Sequence, residues 1–337
     1  MLKEGVRKML EMLRPYWYPV ARIEEITTTP RRMKLLGEQL VAWRAEDGEA
    51  AVMKDLCIHR GAALSGGTVE GGALRCPYHG WKYDTTGACV HIPSLPPGAP
   101  IPAKARAVTY HTREAYGMLW VCLGDGTAAF PDYLSEPWED PGYRTVYVSR
   151  YDWKTSAGRV IENAMDFSHF NFVHVGYTEL SDGPVIKPYE VTRSEHGFEY
   201  AYDDGHLLRA YTVEFPFIVH DRKSVVNPAG GKTWSDSDEA KSGDVTLLSF
   251  FATPVDAIET HIHVMVTRNH ALNRDDSEFT GGFDIVMEQD QVIVETQRPE
   301  EIPIDIKEEL HIRLPDAHAI LYRRMLRELN LPESYMP

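Results

Sequence analysis

The chain of 337 residues carries 50 acidic against 35 basic side chains, a formal charge of −15, and has no run dense in Lys or Arg. That balance excludes a nucleic-acid surface or attachment to an anionic membrane, and points to a small molecule or a protein as partner. The length and the 43% apolar content allow two domains with separate cores.

The opening stretch MLKEGVRKMLEMLRPYWYPV mixes acids and bases among its apolar positions. Residues 1–16 are therefore expected to form a short amphipathic helix rather than a signal peptide, which predicts a cytoplasmic protein. From Pro19 to about Gly124 short β-rich segments alternate with glycine turns. EQLVAWRAEDGEAAVM is expected to fold back at Asp47-Gly48, and YGMLWVCLG to be a buried strand. Residues 17–130 are expected to form an all-β domain. The longest uncharged run, Thr85 to Ala103, holds five prolines and cannot be a membrane helix.

After a Pro- and acid-rich linker, FPDYLSEPWEDPGY, residues 131–337 change character. A helical segment around AGRVIENAMDFSHFNFVH is followed by the alternating stretches HGFEYAYDD, LLRAYTVEFPFIV, DVTLLSFFATP and ETHIHVMVTRN. These predict an antiparallel sheet with one buried face, closed by helices near Phe283 to Gln297 and Asp316 to Leu329. The fold class is α+β. The polar, glycine-rich Asn227 to Gly243 is expected to be a loop.

Two half-sites stand in the β domain: Cys57-x-His59 in CIHRGAALSGG, and Cys76-x-x-His79 in CPYHGW. Two thiolates and two imidazoles suit a Rieske [2Fe-2S] centre, and also tetrahedral zinc. Finger-type zinc sites segregate their ligands, a cysteine pair and then a histidine pair. Here each half-site carries one of each, which lets each loop reach both irons of a cluster. Cys89 and Cys122 have no His or Cys at ligand spacing and are expected to be small core residues.

A cluster of this kind moves single electrons, so an acceptor is needed. In ENAMDFSHFNFVH, Asp166 precedes His169 by three residues and His174 follows by five, and the three converge only if the helix bends or ends near Phe172. Two histidines and a carboxylate from elsewhere make the facial triad of non-haem Fe(II) oxygenases. In FDIVMEQDQVIVETQ, the apolar Ile285, Val286, Met287, Val292, Ile293 and Val294 sweep out one broad face, with Asp284, Glu288 and Glu295 opposite. Asp290 falls inside the apolar sector, where an unpaired carboxylate is costly, and is the expected third ligand. Asp166, one turn before His169, suits an acceptor that fixes that imidazole. His261, His263 and His311 lack such a pattern. Phe170, Phe172, Phe250 and Phe251 are candidates to line a pocket.

CIHRGA, CPYHGWKYDTTG, DFSHFNFVH and EQDQVIVETQRP in this order resemble the Rieske non-haem iron oxygenases. The resemblance is to α subunits of the methylxanthine N-demethylase and vanillate or dicamba O-demethylase branch. It implies a Rieske domain followed by a helix-grip, START-like catalytic domain. The implied cofactors are the [2Fe-2S] cluster on Cys57, His59, Cys76 and His79, and mononuclear Fe(II) on His169, His174 and Asp290. It further implies a head-to-tail homotrimer, or a multiple of trimers. In it, electrons from NAD(P)H come through a separate reductase, with or without a ferredoxin, to the cluster. They then pass by His79 to Asp166 and His169 of the neighbour. Arg60 and Lys82 are candidates for docking the reductase.

The implied reaction uses O2 to hydroxylate a C–H bond of a small organic substrate. Where that carbon bears nitrogen or oxygen, the outcome is demethylation with release of formaldehyde. Ring dihydroxylation, or hydroxylation without dealkylation, uses the same ligands. A pure electron carrier leaves more than half of the chain without a task, and a zinc module with a lipid-binding domain predicts a protein without iron.

Overall fold

The computed structural model describes residues 9–228 and 241–329. Residues 1–8 of the expected N-terminal helix, and most of the expected Asn227 to Gly243 loop, lie outside the described residues; residues 9–12 are helical. Residues 13–130 make one unit, and residues 131–337 with the first twelve make the other.

The first unit is built of small antiparallel sheets. Met118–Cys122 pairs with Trp17–Arg22 on one side and His111–Ala115 on the other, while Arg31–Leu35, Glu38–Arg44 and Ala50–Lys54 form a three-stranded meander. The meander folds back as the sequence predicts, with Gly48 at φ +97°, a conformation that suits glycine. A third sheet of four short strands, Thr68–Glu70, Ala73–Arg75, Lys82–Tyr83 and Cys89–His91, carries the second half-site in a hairpin loop. Val41, Trp43, Met53, Leu74 and Tyr83 are fully buried between these sheets. Cys89 and Cys122 are buried core residues, and none of the four cysteines is in a disulfide. Within the proline-rich segment after Thr85, Cys89–His91 is a short strand paired with Lys82–Tyr83.

The second unit is dominated by one antiparallel sheet of seven strands. Its order is Arg144–Trp153, Thr260–Arg268, Val245–Pro254, Ile218–Val225, Leu207–Glu214, Gly197–Asp203 and Val191–Arg193. The alternating sequences produce it because successive side chains point to opposite faces. Leu207, Arg209, Tyr211 and Val213 are buried, while the residues between them are only half-buried. The stretch LLRAYTVEFPFIV spans two strands, divided by a turn at Phe215 to Phe217. Proline lacks the N–H that a continuing ladder would need.

Helices Ala157–Ala164, Phe283–Val294 and Ala317–Glu328 complete this unit. Ser156 caps the first, its hydroxyl accepting from the Arg159 amide. Phe283–Val294 buries Phe283, Met287, Asp290 and Val294, a single stripe at spacings of four, three and four. Ile285, Val292 and Ile293 are exposed, so the apolar face is narrower than the sequence suggests, and Asp290 belongs to the stripe that is buried.

Candidate metal centres

In the first unit the two half-sites form matching turns. The Gly61 amide donates to the Cys57 carbonyl at 2.9 Å, and the Gly80 amide to the Cys76 carbonyl at 3.1 Å. Both glycines have φ of +70°, the left-handed conformation each turn needs to reverse the chain behind its histidine. Cys57 and Cys76 are buried, His59 is half-buried and His79 is exposed. The imidazoles of His59 and His79 lie 4.5 Å apart, and Trp81 stacks on His59 at 4.6 Å.

The donor chemistry fits a [2Fe-2S] cluster. Nδ1 of His59 is a buried nitrogen without a hydrogen-bond partner, which a metal would complete. Burial pushes the Cys76 thiol above its ordinary value, a cost that coordination as thiolate removes. The Tyr83 hydroxyl lies 3.1 Å from Cys57 Sγ, a neighbour the sequence did not reveal because it is 26 residues away on another strand. Lys82 pairs with Glu70 at 3.0 Å, and Arg60 is exposed.

In the second unit the helix after Ser156 ends at Ala164, earlier than the bend expected near Phe172, and a separate turn of helix runs Phe170–Val173. Asp166 stands in the break between them rather than on a helical face. Its carboxylate accepts from the Ser168 amide and hydroxyl and from the His169 amide, which fixes the break. His169 Nδ1 lies 2.6 Å from Asp166 Oδ2, leaving Nε2 for a metal. Burial favours the neutral Asp166 carboxyl, but the hydrogen bond and charge of His169, with help from His318, outweigh it. The group is held well below the usual carboxylate range.

His169, His174 and Asp290 offer ligand atoms within 4.8 Å of one another. The two Nε2 atoms are 3.2 Å apart, and Asp290 Oδ1 is 3.5 Å from that of His169 and 3.2 Å from that of His174. Donors about 2.1 Å from a common ion and at right angles to one another would be spaced by about 3.0 Å, so the three fit one metal on a single face. His174 Nδ1 bonds Gln289 Oε1 at 2.9 Å, and Asn163 Nδ2 approaches Asp290 Oδ1 at 3.3 Å. Neither supporting residue carries a motif signal; only the fold brings them to the site. His261 and His263 face strand neighbours instead, Asp152 and Tyr147.

The three ligand candidates share a pocket whose other walls are mostly apolar. Phe170 and Phe250 line it. Phe251 points to the other face of its strand, beside His220, and Phe172 is 72% exposed, so these two expected lining residues are not in it. A second groove is lined by Asp166, His169 and His318 among others.

Residues 16–110 match the Rieske [2Fe-2S] domain family, and residues 153–331 match the vanillate O-demethylase oxygenase C-terminal domain. The chain belongs to the Rieske non-haem iron oxygenases, as an oxygenase subunit that works with a [2Fe-2S] cluster, a mononuclear iron, dioxygen and a separate reductase. Within that family it falls in the demethylase branch. It is 33% identical to methylxanthine N1-demethylase NdmA of Pseudomonas putida, over 95% of this chain and 90% of that one. It is 29% identical to methylxanthine N3-demethylase NdmB of the same species, over 98% and 94%. The structure of NdmA from Pseudomonas putida CBB5 with caffeine superposes with a TM-score of 0.81 at 31% identity, covering 95% of this chain and 92% of that one. Dicamba monooxygenase, at 21% identity and a TM-score of 0.77 over 96% and 99%, shares the fold.

Proposed function

We propose that this subunit removes a methyl group from nitrogen or oxygen of a small organic molecule, with Cys57, His59, Cys76 and His79 holding the cluster and His169, His174 and Asp290 the mononuclear iron. The observation that carries this reading is the convergence of those last three side chains within 4.8 Å, in a mostly apolar pocket. The iron supplies dioxygen activation, and the cluster supplies electrons one at a time.

The overall change balances: the methyl compound, O2, two electrons and two protons give a hydroxymethyl compound and water. The hydroxymethyl group then leaves as formaldehyde, returning a proton to the nitrogen or oxygen. The protein's own contribution is positional. Asp166 holds His169 by its Nδ1, Gln289 holds His174, and the walls around Phe170 and Phe250 keep bulk water from the reacting carbon.

His79, the exposed histidine, would be the cluster ligand that faces Asp166 of a neighbouring subunit in a head-to-tail homotrimer, with Asp166 linking it to His169. The presence of Asp166 and His169 in one groove supports that reading. Four cysteines without a disulfide among them suit the reducing cytoplasm. Metal analysis tests the assignment. Wild type should hold about three irons and two acid-labile sulfides per chain, and His174→Ala about two irons with the sulfide unchanged. Two irons in wild type would leave only an electron carrier.

A further inference from the structure

Among the described residues that wall the pocket of the three iron-ligand candidates there is one indole and no phenol. Trp153 lies there, 1% exposed, with Phe170, Phe250 and Phe283. Its Nε1–H is buried and meets no acceptor among the described residues, although a buried indole N–H usually has one. Trp153 has no task in the mechanism above.

The strand Arg144–Trp153 carries a second oxidisable ring. Tyr151 stands two residues before Trp153, on the same face and about 7 Å away along the strand. Thr260 and Ile262 pair directly with Trp153 and Tyr151, and Ile262 also lines the pocket. Tyr151 is half-buried, and its hydroxyl donates to Asp284 Oδ1 at 2.8 Å. Asp284 is exposed, in the first turn of Phe283–Val294. Burial, and then the Asp284 carboxylate, push the phenol above its ordinary value, so it stays protonated until it is oxidised. The same carboxylate is within reach to take the proton at that moment and pass it to water. Trp153 lacks such a base. An oxidised Trp153 ring therefore cannot settle by giving its proton to the protein, and draws an electron from Tyr151 instead.

We propose that Trp153 and Tyr151 form an outlet for oxidising equivalents, through which the iron site is reduced from the protein surface when dioxygen is activated with no substrate in place. In each pass the iron site gains one electron from Trp153, Trp153 regains one from Tyr151, and the Tyr151 phenol proton moves to Asp284. One electron and one proton from a small reductant in solution, ascorbate or a thiol, return the phenoxyl radical to the phenol. The inference rests on the iron reading of His169, His174 and Asp290 for the oxidant, and on Trp153, Tyr151 and Asp284 for the path.

The test is treatment of the iron-loaded holoenzyme with hydrogen peroxide in the absence of substrate, followed by EPR of freeze-quenched samples and by mass spectrometry of peptides. Peroxide supplies oxidising equivalents at the iron without the reductase. Wild type should give a tyrosyl radical, identified by narrowing of its signal when the tyrosines are ring-deuterated, and ascorbate should quench it. Tyr151→Phe keeps the ring and gives up one hydroxyl. It should lose the signal, shift oxidation onto Trp153, and inactivate severalfold faster than wild type. Asp284→Asn should lose most of the signal, and His174→Ala, which lacks a ligand of the mononuclear iron, should give none.

The wild-type radical needs no variant, so misfolding of any substituted chain does not remove the test. Iron is measured on the same wild-type sample. About three irons per chain and no tyrosyl radical would overturn the outlet and leave the oxygenase reading standing. An undiminished signal in Tyr151→Phe, Asp284→Asn or His174→Ala would overturn it too. About two irons per chain would remove the oxygenase reading, and the outlet with it.

Discussion

Replacement of Asp166 by asparagine isolates the group that the break between two helices places against His169. The wild-type carboxylate accepts three hydrogen bonds from Ser168 and the His169 amide, and lies 2.6 Å from His169 Nδ1. Asparagine keeps the size and one acceptor oxygen but loses the charge. A bond to an ionised group is worth about 1.5–3 kcal/mol and a neutral one about 0.5–1.5, so the imidazole loses roughly 1–2 kcal/mol of orientation. Loss of such a supporting carboxylate typically weakens metal binding about 10- to 100-fold. Titration with a chelator, with cluster iron subtracted by the sulfide content, should show that loss at the mononuclear site. Turnover should fall to near background, while the visible and EPR spectra of the cluster stay as in wild type. Iron affinity within about threefold of wild type together with normal turnover would refute the argument for both roles of Asp166.

Tyr83→Phe removes a hydroxyl 3.1 Å from Cys57 Sγ, and with it about 1 kcal/mol of stabilisation of the reduced, more negative cluster. A redox titration should find the potential lower by roughly 40 mV; an unchanged potential means that the hydroxyl makes no bond to the sulfur. Glu309→Gln breaks a network in which Glu309 meets Arg159 at 2.6 Å and Arg323 at 2.5 Å. Burial works to raise the Glu309 carboxyl, but the two guanidinium groups overcome it and hold the group at about 2. Because the folded value is depressed, its contribution is complete above the ordinary value near 4.5 and fades as pH falls toward 2. The variant should lose about 2 kcal/mol at pH 7 after solvent screening at the exposed edge, lowering Tm by roughly 4–8 °C. The gap should narrow in acid, and a gap that widens there would contradict the assignment.

Much of this was legible because the chemistry is written in short motifs. Cys57-x-His59 and Cys76-x-x-His79 mark candidate ligands by spacing, and the expected strands of the second unit reappear as a sheet because period-two alternation leaves few alternatives. Asp290 is a candidate because a carboxylate interrupts an apolar face there, and the fold brings it beside His169 and His174. The face drawn was too broad, since a run of β-branched residues does not reveal which of them tertiary packing will bury. The break at Asp166 came earlier than expected, because its side chain bonds the following amides, a local alternative to helix that competes with helical periodicity. Gln289, Asn163 and Tyr83 stand inside or beside the quoted motifs, but their contacts were not legible. Each acts through partners many residues away, and nothing in the local pattern marks such contacts.

The central claim, demethylation by this oxygenase subunit, is tested most directly by the stoichiometry of turnover. Purified holoenzyme, a compatible reductase, NADH and a panel of N-methyl and O-methyl aromatic compounds would be followed for oxygen uptake and formaldehyde together. The account predicts about one O2 and one NADH consumed per formaldehyde released with at least one compound, and loss of the formaldehyde in His174→Ala. Oxygen uptake that yields a diol or a stable alcohol and no formaldehyde with any compound would contradict it.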